Sequence, residues 1–196
     1  MAIDIADIKK LKNMTGVGLT TAKQALEETS GDFDKALEAM RIKGLSRADK
    51  KADRTAAAGL VHAYVHGDKI GVLVELNCET DFVARTDDFK SLANDLALHI
   101  AASNPKYLNI ADIPEADTAK EKELTAAELK EQGKPAEMID KISEGKIKKW
   151  HSEVVLLQQP FVKNPDQTIE IVVKEAIAKL GENIVLRQFS RIELGS

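Results

Sequence analysis

The sequence predicts an α+β fold. It has a three-helix N-terminal module over residues 1–44, a linker over 45–58, and an α+β core over 59–196 with a small antiparallel sheet of about three strands packed with helices. Three observations carry this. Apolar residues recur at helical spacing three times in the first 44 residues. A period-two alternation runs on either side of Gly67-Asp68. Helical patterns then fill the chain up to a final β-branched segment.

In the module, Ile5, Ile8 and Leu11 form one apolar row. Ala22, Ala25, Leu26 and Thr29 form a second, and Phe33, Ala36, Leu37 and Met40 a third. Gly16-Val17-Gly18 separates the first two helices, Gly31 the next two, and Gly44 is the expected C-terminal stop. Helices of about three turns are marginal alone, so the three must pack together. Residues 45–58 carry little apolar bulk and read as a linker with some helical character. From Arg41 to Thr55 the chain has Arg41, Lys43, Arg47, Lys50, Lys51 and Arg54 against Asp49 and Asp53, a local net of +4. A solvated helical face explains such a run, and a phosphate- or acid-binding stripe is the sharper alternative.

The hairpin follows. In 60–66, Val61, Ala63 and Val65 alternate with His62, Tyr64 and His66; Gly67-Asp68 suits a two-residue turn, and 70–77 returns. Residues 87–102 are a strong amphipathic helix with Thr86 as N-cap and Phe89, Leu92, Ala93, Leu96 and Ile100 on one face. Pro105 bars its continuation. Residues 115–157 are helix-rich and charged, broken at Gly133-Lys134-Pro135. A turn is expected at Asn164-Pro165-Asp166-Gln167, a helix over 168–180 stopped by Gly181, and a third strand over 184–194.

The net charge of −4 argues against nucleic acid as the main partner, which favours a basic surface. Cys78 is the only cysteine, so no intrachain disulfide forms and no cysteine-based metal site closes, as suits a reducing compartment. The N-terminus lacks a basic region followed by an apolar run, and no apolar stretch approaches the roughly 18 residues of a membrane span. The expectation is a soluble cytoplasmic protein with no membrane partner.

Catalytic and cofactor chemistry find no foothold. Gly16-Val17-Gly18 is the only glycine-rich candidate for phosphate, but it follows a helix, and no Gly-Lys-Ser/Thr completes a P-loop. His62 and His66 lie about 13 Å apart along a strand, too far to share a metal ion. They read as polar outer-face residues, and His99 as a rim residue of the long helix. No catalytic residue, metal site or cofactor is expected.

The most distinctive segment is Glu75-Leu76-Asn77-Cys78-Glu79-Thr80-Asp81-Phe82-Val83-Ala84-Arg85. It places a large aromatic, flanked by an acid, in a strand-to-helix turn. Two readings are open. Thr80 or Asp81 caps a helix and Phe82 staples back onto the apolar layer, or Phe82 is a rigid wedge for a partner's pocket.

This segment closely resembles the signature of the elongation factor Ts family, the exchange factors of a translational GTPase. Leu11-Lys12-Asn13-Met14-Thr15-Gly16-Val17-Gly18-Leu19 with Lys23-Gln24-Ala25-Leu26 resembles the family's N-terminal signature. The blocks Leu156–Val162, Gly181–Phe189 and Glu193-Leu194-Gly195 resemble its C-terminal ones. Thr21, Lys12 and Gln188 depart from the usual acid and two arginines.

The resemblance implies a ubiquitin-associated-like module followed by a core that also serves dimerisation. It implies guanine-nucleotide exchange on elongation factor Tu, without covalent chemistry. Phe82 would act as wedge near the GTPase's Mg²⁺ and phosphates, with Asp81 as its polar partner and Thr80 and Val83 as supports. In the module, Leu11, Lys12, Thr15, Gly16, Val17, Gly18 and Lys23 would meet the GTPase. The chain is similar to the family's short form, with no room for an inserted helical arm or a C-terminal module. Short forms are expected to pair. With Ser190 in the last segment and Cys78 alone, a dimer must rest on packing, through the final strand. An adaptor built on the helical module is the rival class, as is an enzyme with an unrecognised site; neither needs the tip.

Overall fold

The computed structural model describes residues 3–133 and 135–195, with the backbone alone of Ala136 and Glu137. Lys134, in the expected helix break, lies outside the described residues, as do Met1, Ala2 and Ser196. The chain is α+β, as the patterning requires. Helices α1 (Ile5–Thr15), α2 (Leu19–Glu28) and α3 (Phe33–Asp49) bury Leu11, Ala22, Ala25, Leu26, Ala36 and Met40 in a core of their own.

The expected stop at Gly44 is not there: α3 runs through it to Asp49. A Cβ added at Gly44 would stand 3.1 Å from the Cβ of Ala178. The glycine is therefore used for close approach to helix α8 (Ile169–Leu180) rather than for helix termination. Ala48, in the segment expected as linker, is buried in the main core. The basic run is largely occupied. Arg41 Nε donates to Glu175 of α8 at 2.7 Å, Lys43 pairs with Glu28 at 3.4 Å, Arg54 pairs with Glu79 at 3.5 Å, and Lys51 donates to the Gly181 carbonyl.

Strands β1 (Ala58–His66), β2 (Ile70–Cys78) and β5 (Ile184–Glu193) form an antiparallel sheet in the order β1-β2-β5. Gly67 and Asp68 both have positive φ, at 54° and 58°, as a two-residue hairpin turn demands. The faces of β1 are the reverse of those expected. Val72, Val74 and Leu76 of β2 point inward, and their partners Tyr64, His62 and Leu60 share that face. His62 is thus an inner-face residue, half-buried, while Val61, Ala63 and Val65 look outward. Helix α5 (Asp87–Ser103) covers the inner face with Phe89, Leu92, Ala93, Leu96 and Ile100, capped by Thr86. Helix α8 packs beside α5, capped by Thr168 and closed by Gly181 at φ 80°.

Helices α6 (Glu115–Glu131) and α7 (Ala136–Val154) pack on each other and are about 25 Å and about 28 Å long. This hairpin corrects the expectation that the chain has no room for a helical arm. Residues 164–167, expected as a turn, belong to a short strand β4 (Asn164–Thr168) paired with β3 (Pro160–Phe161). Its polar, exposed side chains carry no alternation from which a strand could be read. Among the described residues, no helix is long and apolar enough to cross a membrane.

His99 is not on a rim but fully buried. The Val162 amide donates to its Nδ1 at 3.3 Å, so Nε2 carries the proton and donates to Gln159 Oε1 at 2.9 Å. Gln159 in turn donates to the Glu153 carbonyl at 2.7 Å. Burial pushes the His99 pKa below its ordinary 6.5, partly offset by Gln159. The unfolded chain then takes up a proton that the native chain refuses. Stability should be level above pH about 7 and fall as pH drops through the unfolded value toward the lower native one. Urea unfolding between pH about 5 and 7.5 measures this, and a slope that survives in His99→Gln assigns it elsewhere.

Candidate partner-binding site

The tip is built at the junction of β2 and α5. Cys78 ends β2 with its thiol buried; burial first, then the Glu182 carboxylate, raises its pKa. The protonated thiol donates to the Thr80 carbonyl at 3.1 Å. Thr80 has extended backbone (φ −130°, ψ 155°) and caps a single helical turn, α4 (Asp81–Ala84), its Oγ1 accepting from the Val83 amide at 3.5 Å. The Thr80 amide donates to Glu182 Oε2 at 3.0 Å, and its hydroxyl donates to Glu182 Oε1 at 2.6 Å. Thr86 closes the far end, donating to the Val83 carbonyl at 2.8 Å while accepting from the Phe89 amide at 3.3 Å.

This geometry decides where the aromatic goes. Val83 packs against the core and Ala84 is buried. At about 100° per residue, position 82 lies about 150° from the midpoint of that inward pair. Phe82 is accordingly 79% exposed. The staple reading is therefore overturned. Asp81, also exposed, pairs with Arg85 one turn on at 2.7 Å, which orients both side chains on the outer face of the tip.

The N-terminal candidates divide. Leu11 is fully buried in the module core, so it supports the surface without forming part of it. Thr15 donates to the Leu11 carbonyl at 2.7 Å and Val17 packs on the module core. Gly16 adopts φ 69° and closes α1; a Cβ there would lie 2.6 Å from the Lys179 Cα, so the loop rests on α8. Gly18 precedes α2 as its N-cap. Lys12 and Lys23 are exposed, and Lys23 pairs loosely with Glu27 at 3.6 Å. Leu19, an exposed apolar residue four positions before Lys23, lies on the same helix face. The tip and this corner both rest on the C-terminal end of α8, the corner against Lys179 and the tip through Glu182 just beyond the helix.

The family described as Elongation factor TS matches residues 1–196. The chain belongs to the elongation factor Ts family. It is 52% identical to the Elongation factor Ts of Herpetosiphon aurantiacus and to that of Coprothermobacter proteolyticus, in both cases over the whole of each chain. It is 52% identical to that of Carboxydothermus hydrogenoformans over 96% of this chain and 87% of that one. Elongation factor Ts membership implies nucleotide exchange on elongation factor Tu in translation elongation, an activity that makes and breaks no covalent bond.

Proposed function

We propose that the chain promotes GDP release by inserting the Asp81-Phe82 tip near the Mg²⁺ and phosphate site of elongation factor Tu, displacing the ion and disturbing the phosphate-binding loop. The observation that carries this is the exposure of Phe82 on a turn whose every neighbour is capped or clamped. An adaptor has no use for an aromatic held this way. Exchange needs preferential binding to the nucleotide-free GTPase, and linkage makes the effect reciprocal. A ten-thousandfold acceleration corresponds to about 5.5 kcal/mol. Burial of one Phe contributes about 1.5–3 kcal/mol. Lost Mg²⁺ coordination and a second surface at Lys12, Lys23 and the Thr15–Gly18 corner supply the rest, a two-point grip.

The chain acts in the cytoplasm, without nucleic acid, as a homodimer. The dimer reading rests on the outer face of the sheet, where Val61, Val65, Leu73 and Ile192 are at least half exposed around Ala63. Paired registers bring Val65, Gly71 and Ile192 into one row and Ala63, Leu73 and Ser190 into the next. An apolar sheet face of this kind is self-complementary under a two-fold axis. The test mixes the chain with elongation factor Tu carrying fluorescent GDP and follows release at increasing Mg²⁺, with light scattering on the free chain. Stimulated release that slows as Mg²⁺ rises is expected, as is a mass twice that of one chain. Release indifferent to Mg²⁺ removes the displacement step, and a monomer mass removes the dimer.

A further inference from the structure

The geometry points to Glu182 as a positioning residue for the tip, an assignment that rests on the tip reading above. Glu182 is 102 residues from Thr80 in sequence, yet both of its carboxylate oxygens are committed to that one residue. One oxygen holds the Thr80 amide and the other its hydroxyl. Two bonds from one rigid carboxylate fix the orientation of the peptide plane and of the side chain together, which a single bond leaves free to rotate.

The hydroxyl's proton is directed at Glu182, which leaves its lone pairs for the Val83 amide. Glu182 thus fixes the rotor of the hydroxyl that caps the start of α4, and Phe82 is the second residue of that turn. The third polar atom of Thr80, its carbonyl, is held by the Cys78 thiol. Thr80 is thus tied at three atoms, and Glu182 supplies two of the ties.

Glu182 itself cannot drift. Gly181 before it closes α8, with its carbonyl accepting from Lys51. Asn183 after it is buried, its amide donating to Glu79 Oε1 at 2.7 Å and its side chain to the carbonyls of Ala52 and Arg54 at 3.2 and 2.7 Å. The carboxylate is thus set on a support joining the segment after α3 to the tip. The Glu182–Thr80 bonds lie at the exposed surface, where such bonds add little to global stability. Their consequence is directional, in holding Phe82 on one axis before the partner is met.

The experiment measures stimulated GDP release from elongation factor Tu over a range of concentrations of the full chain, for wild type, Glu182→Gln, Glu182→Ala, Phe82→Ala and the Phe82→Ala/Glu182→Ala double variant. Glu182→Ala should lower the maximal rate about tenfold while the half-saturating concentration stays within about twofold. Glu182→Gln keeps one acceptor of the same shape and should retain about a third of the rate. It also carries the test if the alanine variant does not fold. With Phe82 removed, Glu182→Ala should change nothing further, because a positioning residue acts through what it positions. Two results overturn the assignment while leaving the tip reading intact: a wild-type maximal rate in Glu182→Ala where Phe82→Ala is slow, or an equal loss from Glu182→Ala with and without Phe82. A wild-type rate in Phe82→Ala overturns the tip reading and this assignment with it.

Discussion

Replacing Phe82 by Ala should slow the maximal stimulated release of GDP by about 10- to 150-fold, the range corresponding to about 1.5–3 kcal/mol of aromatic burial in the partner. The melting temperature should barely move, because the ring is 79% exposed and its loss opens no cavity. The flanking structure is independent of the ring. Thr80 caps α4 and Val83 and Ala84 face inward whatever occupies position 82. Phe82→Leu keeps apolar bulk and should fall between the two. The rate is read by stopped flow at saturating factor. An unchanged maximal rate in a folded Phe82→Ala chain would sink the wedge mechanism.

The second large effect is expected at Gly16. A side chain there must adopt φ near 69° and occupy space 2.6 Å from the Lys179 Cα and 2.7 Å from its carbonyl oxygen. Gly16→Ala should cost about 1–3 kcal/mol of stability and lift the α1–α2 corner off α8. If exchange needs two surfaces at fixed spacing, a displaced module weakens binding by losing effective concentration, not chemistry. The half-saturating concentration should rise on the order of tenfold while the maximal rate changes less than about twofold. Gly44→Val, aimed at Ala178 across the same contact, is a milder second probe. Wild-type half-saturation in a folded Gly16→Ala chain argues against the two-point grip. Substitution serves better here than deletion of residues 1–54, since Ala48 lies in the main core and Asn183 binds Ala52 and Arg54.

What could be read from sequence follows from how local each signal is. Helix α5 was legible because its cap and its apolar spacing lie within one stretch, and all five expected inward residues are buried. The tip was legible as an anomaly, an aromatic where turns place small polar residues, but its direction was not. Exposure of Phe82 depends on which neighbours on a four-residue turn face the core. Gly44 misled because helix termination and close helix packing both select glycine, and the deciding partner, Ala178, is 134 residues away. His99 was misplaced because its partners, Gln159 and Val162, come from a distant irregular segment. The faces of β1 were reversed because both sets alternate well. Only pairing with β2 shows that the more aliphatic set is outside. Glu182 gave no sequence signal beyond its place in a family block, since its role exists only through Thr80.

The α6–α7 hairpin differs from the rest in how it is tied down. Its helices bury Thr125, Leu129, Ile139 and Ile147, and Glu128 meets Lys146 at 2.6 Å. It joins the remaining chain at its base, where Ile113, Val154 and Val155 form a small cluster with Tyr107 and Trp150. A unit attached at one end is a cooperative segment in its own right, able to open without unzipping the sheet or the tip. Length can be added to or taken from such a segment while the distance between Phe82 and the Gly16 corner stays set by α8. The fold thereby separates a part whose dimensions are set by the packing of α8 on the core from a part whose dimensions are free to vary.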